Sequence, residues 1–202
     1  MRPLRREEIL DLSTYERARA EIRPAVMEAK RRRRVHLGDS LTFLFENAAT
    51  MRYQVQEMIR AERMVKEEEI RHELDTYGGL LGGPGELSAT LLIELPDPEE
   101  RDRRLREWLP LPGRIYLKLD DGERVRPRFD PRQVGDDRLS SVQYLKFDVK
   151  GRVPVAIGCD LPALAGERPL TEEQREALAE DLRSDGASAS GGATVARGSP
   201  AG

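Results

Sequence analysis

The feature that most constrains the fold of this chain is the segment from Thr50 to Tyr77, TMRYQVQEMIRAERMVKEEEIRHELDTY. Its apolar residues recur mainly at steps of three or four, which places them on one side of a helix. Thr50 offers a side-chain oxygen for an N-cap, and Gly78 and Gly79 offer a natural stop. The sequence therefore predicts one continuous helix of roughly 40 Å, at 1.5 Å per residue, along which other elements must pack.

Residues 1–34 also have a helical pattern. Ser13 begins a capping box of the S-x-x-E form, and Pro24 should kink or split the helix because its ring removes one backbone hydrogen bond. The segment ends in the basic run Lys30–Arg34. We interpret this run as cations at a helix C-terminus, where the helix dipole favours them, because no aromatic residues are interleaved with it. The alternative interpretation is an RNA or phosphate site, which predicts binding with a steep salt dependence.

The next segment, RVHLGDSLTFLFEN, alternates apolar and polar residues around Gly38 and Asp39. This pattern predicts a β-hairpin with glycine in the turn. A helix beginning at Ser40 also fits the apolar spacing, but the alternation favours the hairpin.

Beyond the glycine-rich loop at residues 78–85 the pattern changes to strands separated by helices. Asp97 caps a helix that is predicted to reach Leu109, Asp121 and Gly122 mark a second hairpin, and Thr171 opens a last helix that is predicted to end near Leu182. Further strands are predicted in SATLLIEL, SSVQYLKFDV and VPVAIGC. We predict a single α+β domain over residues 1–183, with N-terminal helices and a long central helix packed on a mostly antiparallel sheet, and a disordered Ser/Gly/Ala-rich tail over residues 184–202.

Composition excludes several classes of protein. The 202 residues include 34 basic and 37 acidic side chains, so a net charge of -3 provides no general attraction for nucleic acid or for an acidic membrane. No apolar run reaches the ~20 residues of a membrane span. The one cysteine, Cys159, has no partner for an internal disulfide, and we expect a cytoplasmic protein with neither a membrane nor a nucleic-acid partner.

Motifs that carry chemistry are scarce in this sequence. Glu69 and His72 form an E-x-x-H pair of the kind that di-iron proteins use, but such a site needs a second E-x-x-H copy. The other histidine, His36, lies in RRRRVHLGD with an arginine in place of the glutamate, so the second copy is absent. No phosphate loop, dinucleotide fingerprint or nucleophile elbow is present, and Cys159 has no neighbouring histidine to activate it. We therefore predict no catalytic residues, no metal site and no cofactor.

The best candidates for a binding site are polar residues on and just before the central helix. These residues are Glu46, Gln54, Glu57, Arg60 and Glu62. Gln54, Glu57 and Arg60 lie three residues apart and share one side of a helix. Glu62 lies at the edge of the apolar face, where a carboxylate needs an arginine, a metal or a ligand. The alternative interpretation is a salt-bridged, solvated helix face in which Glu62 pairs with an arginine of the first helices.

Several segments resemble an uncharacterised bacterial family that is catalogued as a domain of unknown function. The resemblance covers about residues 4–183, and it rests on RRVHLG, FEN, TMRYQVQEMIRAE, ELDTY, ATLLIELPDPEERDRRL and SSVQYLKF. Genes of that family often neighbour those of rubrerythrin and of an iron–sulfur, heterodisulfide-reductase-like oxidoreductase. The resemblance implies a setting in oxidative-stress or iron redox chemistry, with one of these redox proteins as a partner.

Two functions from different classes follow. The first is a non-catalytic accessory or binding protein of such a redox system, because the sequence lacks a catalytic set. The alternative is an enzyme or a small-ligand-binding protein, with a polar pocket along the central helix closed by the glycine-rich loop. A homodimer is compatible with both, because a long helix offers more apolar surface than one short chain covers.

Overall fold

Two antiparallel sheets and the helices packed on them make up the fold. The computed structural model describes residues 4–189 of the chain. Within this part the α-helices are α1 (Leu12–Arg31), α2 (Ala48–Glu62), α3 (Glu67–Gly78), α4 (Pro98–Glu107), α5 (Leu111–Arg114) and α6 (Glu172–Ala189). The strands are β1 (Arg34–Leu37), β2 (Leu41–Glu46), β3 (Glu86–Ile93), β4 (Ile115–Lys118), β5 (Arg124–Val125), β6 (Val142–Asp148), β7 (Ala156–Cys159) and β8 (Gly166–Pro169).

Each sheet has four strands, and every neighbouring pair within a sheet is antiparallel. The first sheet has the order β1-β2-β3-β6 and the second has the order β5-β4-β7-β8. Alternate residues of both sheets, among them Phe43, Leu91 and Leu117, share one apolar core, which Leu178 and Leu182 of α6 join. The predicted α+β class is confirmed, with two sheets in place of the single predicted one.

The predicted single helix from Thr50 to Tyr77 is wrong, because this segment forms two helices, α2 and α3. Arg63 ends α2 in the left-handed conformation, with φ of 52°. Val65, which the apolar spacing places on the buried side, lies in the linker and is 79% exposed. The two helices pack against each other and bury one small cluster, formed by Ile9, Val55, Ile59, Ile70 and Leu74. The spacing continues across the break because both helices turn their apolar sides toward this cluster.

The ends of α2 and α3 follow local hydrogen-bonding chemistry. Asn47, not Thr50, is the N-cap of α2, and its side chain accepts hydrogen bonds from the backbone N–H groups of Ala49 and Thr50 at 3.0 Å. Thr50 lies at the third helical position, where its hydroxyl accepts a hydrogen bond from the Asn47 backbone N–H at 3.0 Å. At the other end, α3 stops at Gly78, where the glycines predict a stop.

The first helix, α1, is continuous through Pro24 and is not split. Pro24 is exposed, so the lost backbone hydrogen bond falls on the solvent side of the helix. The N-cap is Asp11, whose carboxylate accepts a hydrogen bond from the Thr14 backbone N–H at 3.0 Å. The predicted capping box at Ser13 is therefore wrong, because an aspartate two residues earlier is the better acceptor.

The other local predictions divide into those confirmed and those missed. The hairpin at Gly38, whose φ is 61°, joins β1 to β2, and a second hairpin joins β4 to β5 through Gly122. Strand β8 and the short helix α5 lack an apolar alternation and are missed by the sequence. Helix α6 continues to Ala189, past its predicted end, and residues 190–202 of the predicted tail lie outside the described residues.

Candidate functional site

A cleft of about 290 Å³ lies between the outer face of the first sheet and the helices α1, α2 and α3. We call it the Glu46 cleft, after the buried carboxyl group that lines it. Its lining residues are Lys30, Arg34, Leu44, Glu46, Met51, Gln54, Tyr77, Thr90, Leu92, Val142 and Tyr144.

Strand register explains why these residues meet. Across the sheet, Arg34 lies opposite Leu44, Leu44 lies opposite Thr90, and Thr90 lies opposite Tyr144. One residue from each of the four strands therefore forms a row on the outer face, while their sequence neighbours point into the core. Leu92 and Val142 are paired in the next row. The cleft combines residues from segments that are far apart in sequence.

The Glu46 carboxyl group is almost completely buried, with the residue 7% exposed. Its Oε2 accepts a hydrogen bond from the Thr50 hydroxyl at 2.5 Å, and its Oε1 accepts one from the Thr90 hydroxyl at 3.0 Å. Burial raises the pKa of this carboxyl group, and the two hydroxyl donors together with the positive charge of Lys30 oppose the rise. The side chain is held in one position by two threonines, one from α2 and one from β3.

Two tyrosines and a glutamine complete the polar lining of the cleft. Gln54 and Tyr77 both line the cleft, and burial raises the pKa of Tyr77. Burial also raises the pKa of Tyr144, with smaller contributions from the nearby Tyr77 and Glu46. Both phenols are therefore protonated at neutral pH, so each tyrosine contributes a hydroxyl group and an aromatic ring to the cleft.

The five residues predicted from the sequence occupy three different settings. Glu46 and Gln54 line the cleft together. Glu57 faces α1, where it forms a bidentate ion pair with Arg19 at 2.7 and 2.9 Å and accepts a hydrogen bond from the Tyr15 hydroxyl. The Arg19 guanidinium lowers the pKa of Glu57 to about 2.

Arg60 and Glu62 also lie away from the cleft. The Arg60 Nε lies 2.8 Å from Glu16 Oε1 of α1. Glu62 is exposed at the end of α2 and, among the described residues, makes neither a hydrogen bond nor an ion pair. The arginine of the first helix that was expected for Glu62 instead binds Glu57, because α2 turns that residue toward α1.

Five lining residues with polar groups were missed: Lys30, Arg34, Tyr77, Thr90 and Tyr144. The alternation of strands β3 and β6 places Thr90 and Tyr144 on the face opposite the core, so the sequence predicts their face of the sheet. The sequence does not predict that the two residues are paired, because register depends on contacts between distant strands.

The described residues contain no group of three or more histidine, cysteine, aspartate or glutamate side chains that could hold a metal ion. Glu69 forms an ion pair with Lys66, and His72 lies exposed one helical turn away. Cys159 is buried, and burial raises the pKa of its thiol. Across residues 4–189, no helix combines the length and the apolar character of a membrane span.

Comparison with protein families shows which family this chain belongs to. Residues 3–182 match the model of a family described as a protein of unknown function, DUF3501. The chain belongs to this family. A similar solved structure is that of a novel protein of unknown function from Burkholderia pseudomallei K96243, with 31% identity and a TM-score of 0.83. The match covers 90% of this chain and 100% of that one. Among curated proteins, nothing matches the chain.

Proposed function

We propose that this protein is a non-catalytic binding protein that takes a small molecule into the Glu46 cleft. The observation that carries the proposal is the buried Glu46 carboxyl group, which lines a cleft of about 290 Å³ and has no ion-pair partner among residues 4–189. Buried carboxyl groups are rare unless they are paired, and ligand sites combine apolar walls with a few fixed polar groups. Leu44, Met51 and Leu92 supply such walls.

Binding rather than catalysis is supported by how Glu46 is held. Thr50 and Thr90 both donate to its oxygens, which fixes the carboxyl group as an acceptor of defined position. A general acid or base must exchange its proton with a substrate, whereas a recognition group only has to keep its place. Gln54 and Tyr77 add further polar groups to the lining of the cleft.

The experiment is a fragment screen by two-dimensional NMR on the full-length protein, followed by the Gln54→Trp variant. The indole of this variant would fill the cleft from α2. We expect fragments to shift the amide signals of Glu46 and Tyr144, and the variant to abolish these shifts. Glu62→Trp is the matched control, because Glu62 is exposed on the same helix and outside the cleft. Fragment binding that survives Gln54→Trp would contradict the proposal, as would the absence of any binding fragment.

The redox partner remains a separate prediction, which rests on the family resemblance. Rubrerythrin or an iron–sulfur oxidoreductase is the partner that it implies, in the cytoplasm. Glu57 and Arg60 already bind residues of α1, so a partner would have to displace those contacts to use them. A pull-down with Glu57→Ala and Arg60→Ala combined tests this face: unchanged recovery of a redox protein would rule the face out.

A further inference from the structure

We propose that the ligand of the Glu46 cleft is a small organic anion, with its charged group at Lys30 and Arg34 and a hydrogen-bond donor at Glu46. This inference rests on the proposed function and adds the chemical class of the ligand.

The basic run Lys30–Arg34 provides the first argument. Its three inner residues are paired with carboxylates: Arg31 with Glu28 and Glu173, Arg32 with Glu180, and Arg33 with Asp181. The two outer residues, Lys30 and Arg34, form no ion pair with any carboxylate of residues 4–189, and these are the two that line the cleft. The two cations of this run without an ion pair in residues 4–189 are therefore those that a ligand in the cleft would meet.

The positions of the two cations are set by the fold. The Lys30 ammonium lies 5.5 Å from the centre of the Tyr53 ring, and this cation–π contact holds the Lys30 side chain against α2. The Arg34 backbone carbonyl accepts a hydrogen bond from Gln174 Nε2 at 2.7 Å, which anchors this edge of the sheet to α6. Arg34 lies in the same row as Leu44 and Thr90, so its guanidinium belongs to the outer face of the sheet.

The cations and the carboxyl group of the cleft require different properties of a ligand. An anionic group suits the guanidinium and ammonium, since arginine binds carboxylates through paired hydrogen bonds. A hydroxyl or N–H group suits Glu46, because each carboxyl oxygen can accept a further hydrogen bond beside the one that a threonine hydroxyl donates. Leu44 and Leu92 also line the cleft, and they suit an apolar body.

Size limits the ligand further. At ~30 Å³ for each water-sized group, a cleft of about 290 Å³ accommodates a molecule of roughly ten heavy atoms. A phenyl ring with an acidic side chain at one end and a hydroxyl at the other matches this size and offers groups for the apolar lining, the cations and the Glu46 carboxyl group.

The test uses three probes on one scaffold: 4-hydroxyphenylacetate, its neutral amide and the cationic amine tyramine. Binding to the full-length protein is measured by NMR titration at low salt. We expect the acid to bind at least about tenfold more tightly than the amide or the amine, with shifts at Arg34 and Glu46. Phenyl phosphate serves as a fourth probe, because tighter binding than the acid would identify a phosphoryl rather than a carboxylate head group.

Variants connect the preference to the two cations. Lys30→Gln and Arg34→Gln should each weaken binding of the acid by about three- to tenfold and leave binding of the amide unchanged. Arg31→Gln, in the same run but outside the cleft, should change neither.

The outcomes separate this inference from the proposed function. Equal binding of acid and amide, or preferential binding of the amine, would overturn the anion inference while the cleft remained a binding site. If none of the probes binds but neutral fragments bind in a manner sensitive to Gln54→Trp, the inference again fails alone. If no probe and no fragment binds, both proposals fail.

Discussion

Glu46 accepts a hydrogen bond of 2.5 Å from the hydroxyl of Thr50 across the junction between β2 and α2. The same hydroxyl accepts a hydrogen bond from the Asn47 backbone N–H, as part of the N-terminal cap of α2. The cap of the helix and the buried group of the cleft therefore share one threonine. A change at Glu46 is expected to affect both binding and stability, so the two must be measured separately.

The first prediction concerns the pH dependence that Glu46 contributes. Burial raises the pKa of Glu46 above its ordinary value of 4.5, so the folded protein binds this proton more tightly than the unfolded chain. Its contribution to stability is fully present below the ordinary pKa and is lost as the pH rises through the folded-state pKa. In Glu46→Gln this loss is absent, so the free energy of unfolding of the variant should rise relative to that of the wild type as the pH increases. Urea unfolding at several pH values from 4 to about 8 measures the difference. A difference that does not change with pH would contradict the prediction.

The second prediction concerns Glu57, whose pKa is shifted in the opposite direction. The ion pair with Arg19 lowers the pKa of Glu57 to about 2, so its contribution is present above the ordinary pKa and is lost as the pH falls toward 2. Glu57→Gln should lower the free energy of unfolding by ~2 kcal/mol at pH 7 and by much less near pH 2. Tyr15→Phe keeps the ion pair and serves as the control. Because Glu57 lies outside the cleft, ligand binding should be unchanged, and a loss of binding would show that the ligand site extends to Glu57.

The third prediction concerns the buried ion pair that joins the basic run to α6. Arg33 donates to Asp181 through Nε at 2.8 Å and Nη2 at 2.9 Å, and the two side chains are 5% and 7% exposed. Asp181→Asn leaves the buried Arg33 guanidinium with only the exposed Glu180 carboxylate, 3.9 Å away, and should cost ~3–5 kcal/mol of stability. The neighbouring surface pair of Arg32 with Glu180 offers the control, since Glu180→Gln should cost at most ~1 kcal/mol. Equal costs, measured by urea unfolding, would show that burial does not decide the strength of these pairs.

The fourth prediction tests the break between α2 and α3. Arg63 has φ of 52°, a conformation that costs a residue with a side chain roughly 1–2 kcal/mol. Arg63→Gly should therefore raise the free energy of unfolding by ~1 kcal/mol. Ala61→Gly, inside α2, should lower it by up to ~1 kcal/mol. A loss of stability in Arg63→Gly would favour a continuous helix, because glycine is unfavourable inside one.

Much of the local structure could be predicted from the sequence. The hairpins at Gly38 and Gly122, the Asp97 cap of α4 and the stop of α3 at Gly78 depend on residues within a few positions of each other. The single long helix was a wrong prediction because apolar spacing identifies buried positions and does not show where a helix ends. Apolar spacing reports which residues are buried, and two helices that share one cluster keep that spacing across the turn between them.

The candidate site was only partly predictable. Gln54 was identified because it shares one side of the predicted helix with other polar residues, and Glu46 because it lies just before that helix; both line the cleft. Glu57 satisfied the same criterion, yet it binds Arg19. Spacing along one helix cannot distinguish a residue that faces a cleft from one that faces a neighbouring helix, because the distinction depends on where α1 packs.

The sequence by itself determined the α+β class, the order of most helices and strands, and the location of several caps and turns, since these depend on periodicity and on short-range hydrogen bonds. Only the tertiary structure decided the Glu46 cleft, because strand register brings Arg34, Leu44, Thr90 and Tyr144 into one row. It also decided which cations of the basic run are neutralised. Helix α6, more than 130 residues away in sequence, supplies carboxylates to Arg31, Arg32 and Arg33 and leaves Lys30 and Arg34 facing the cleft.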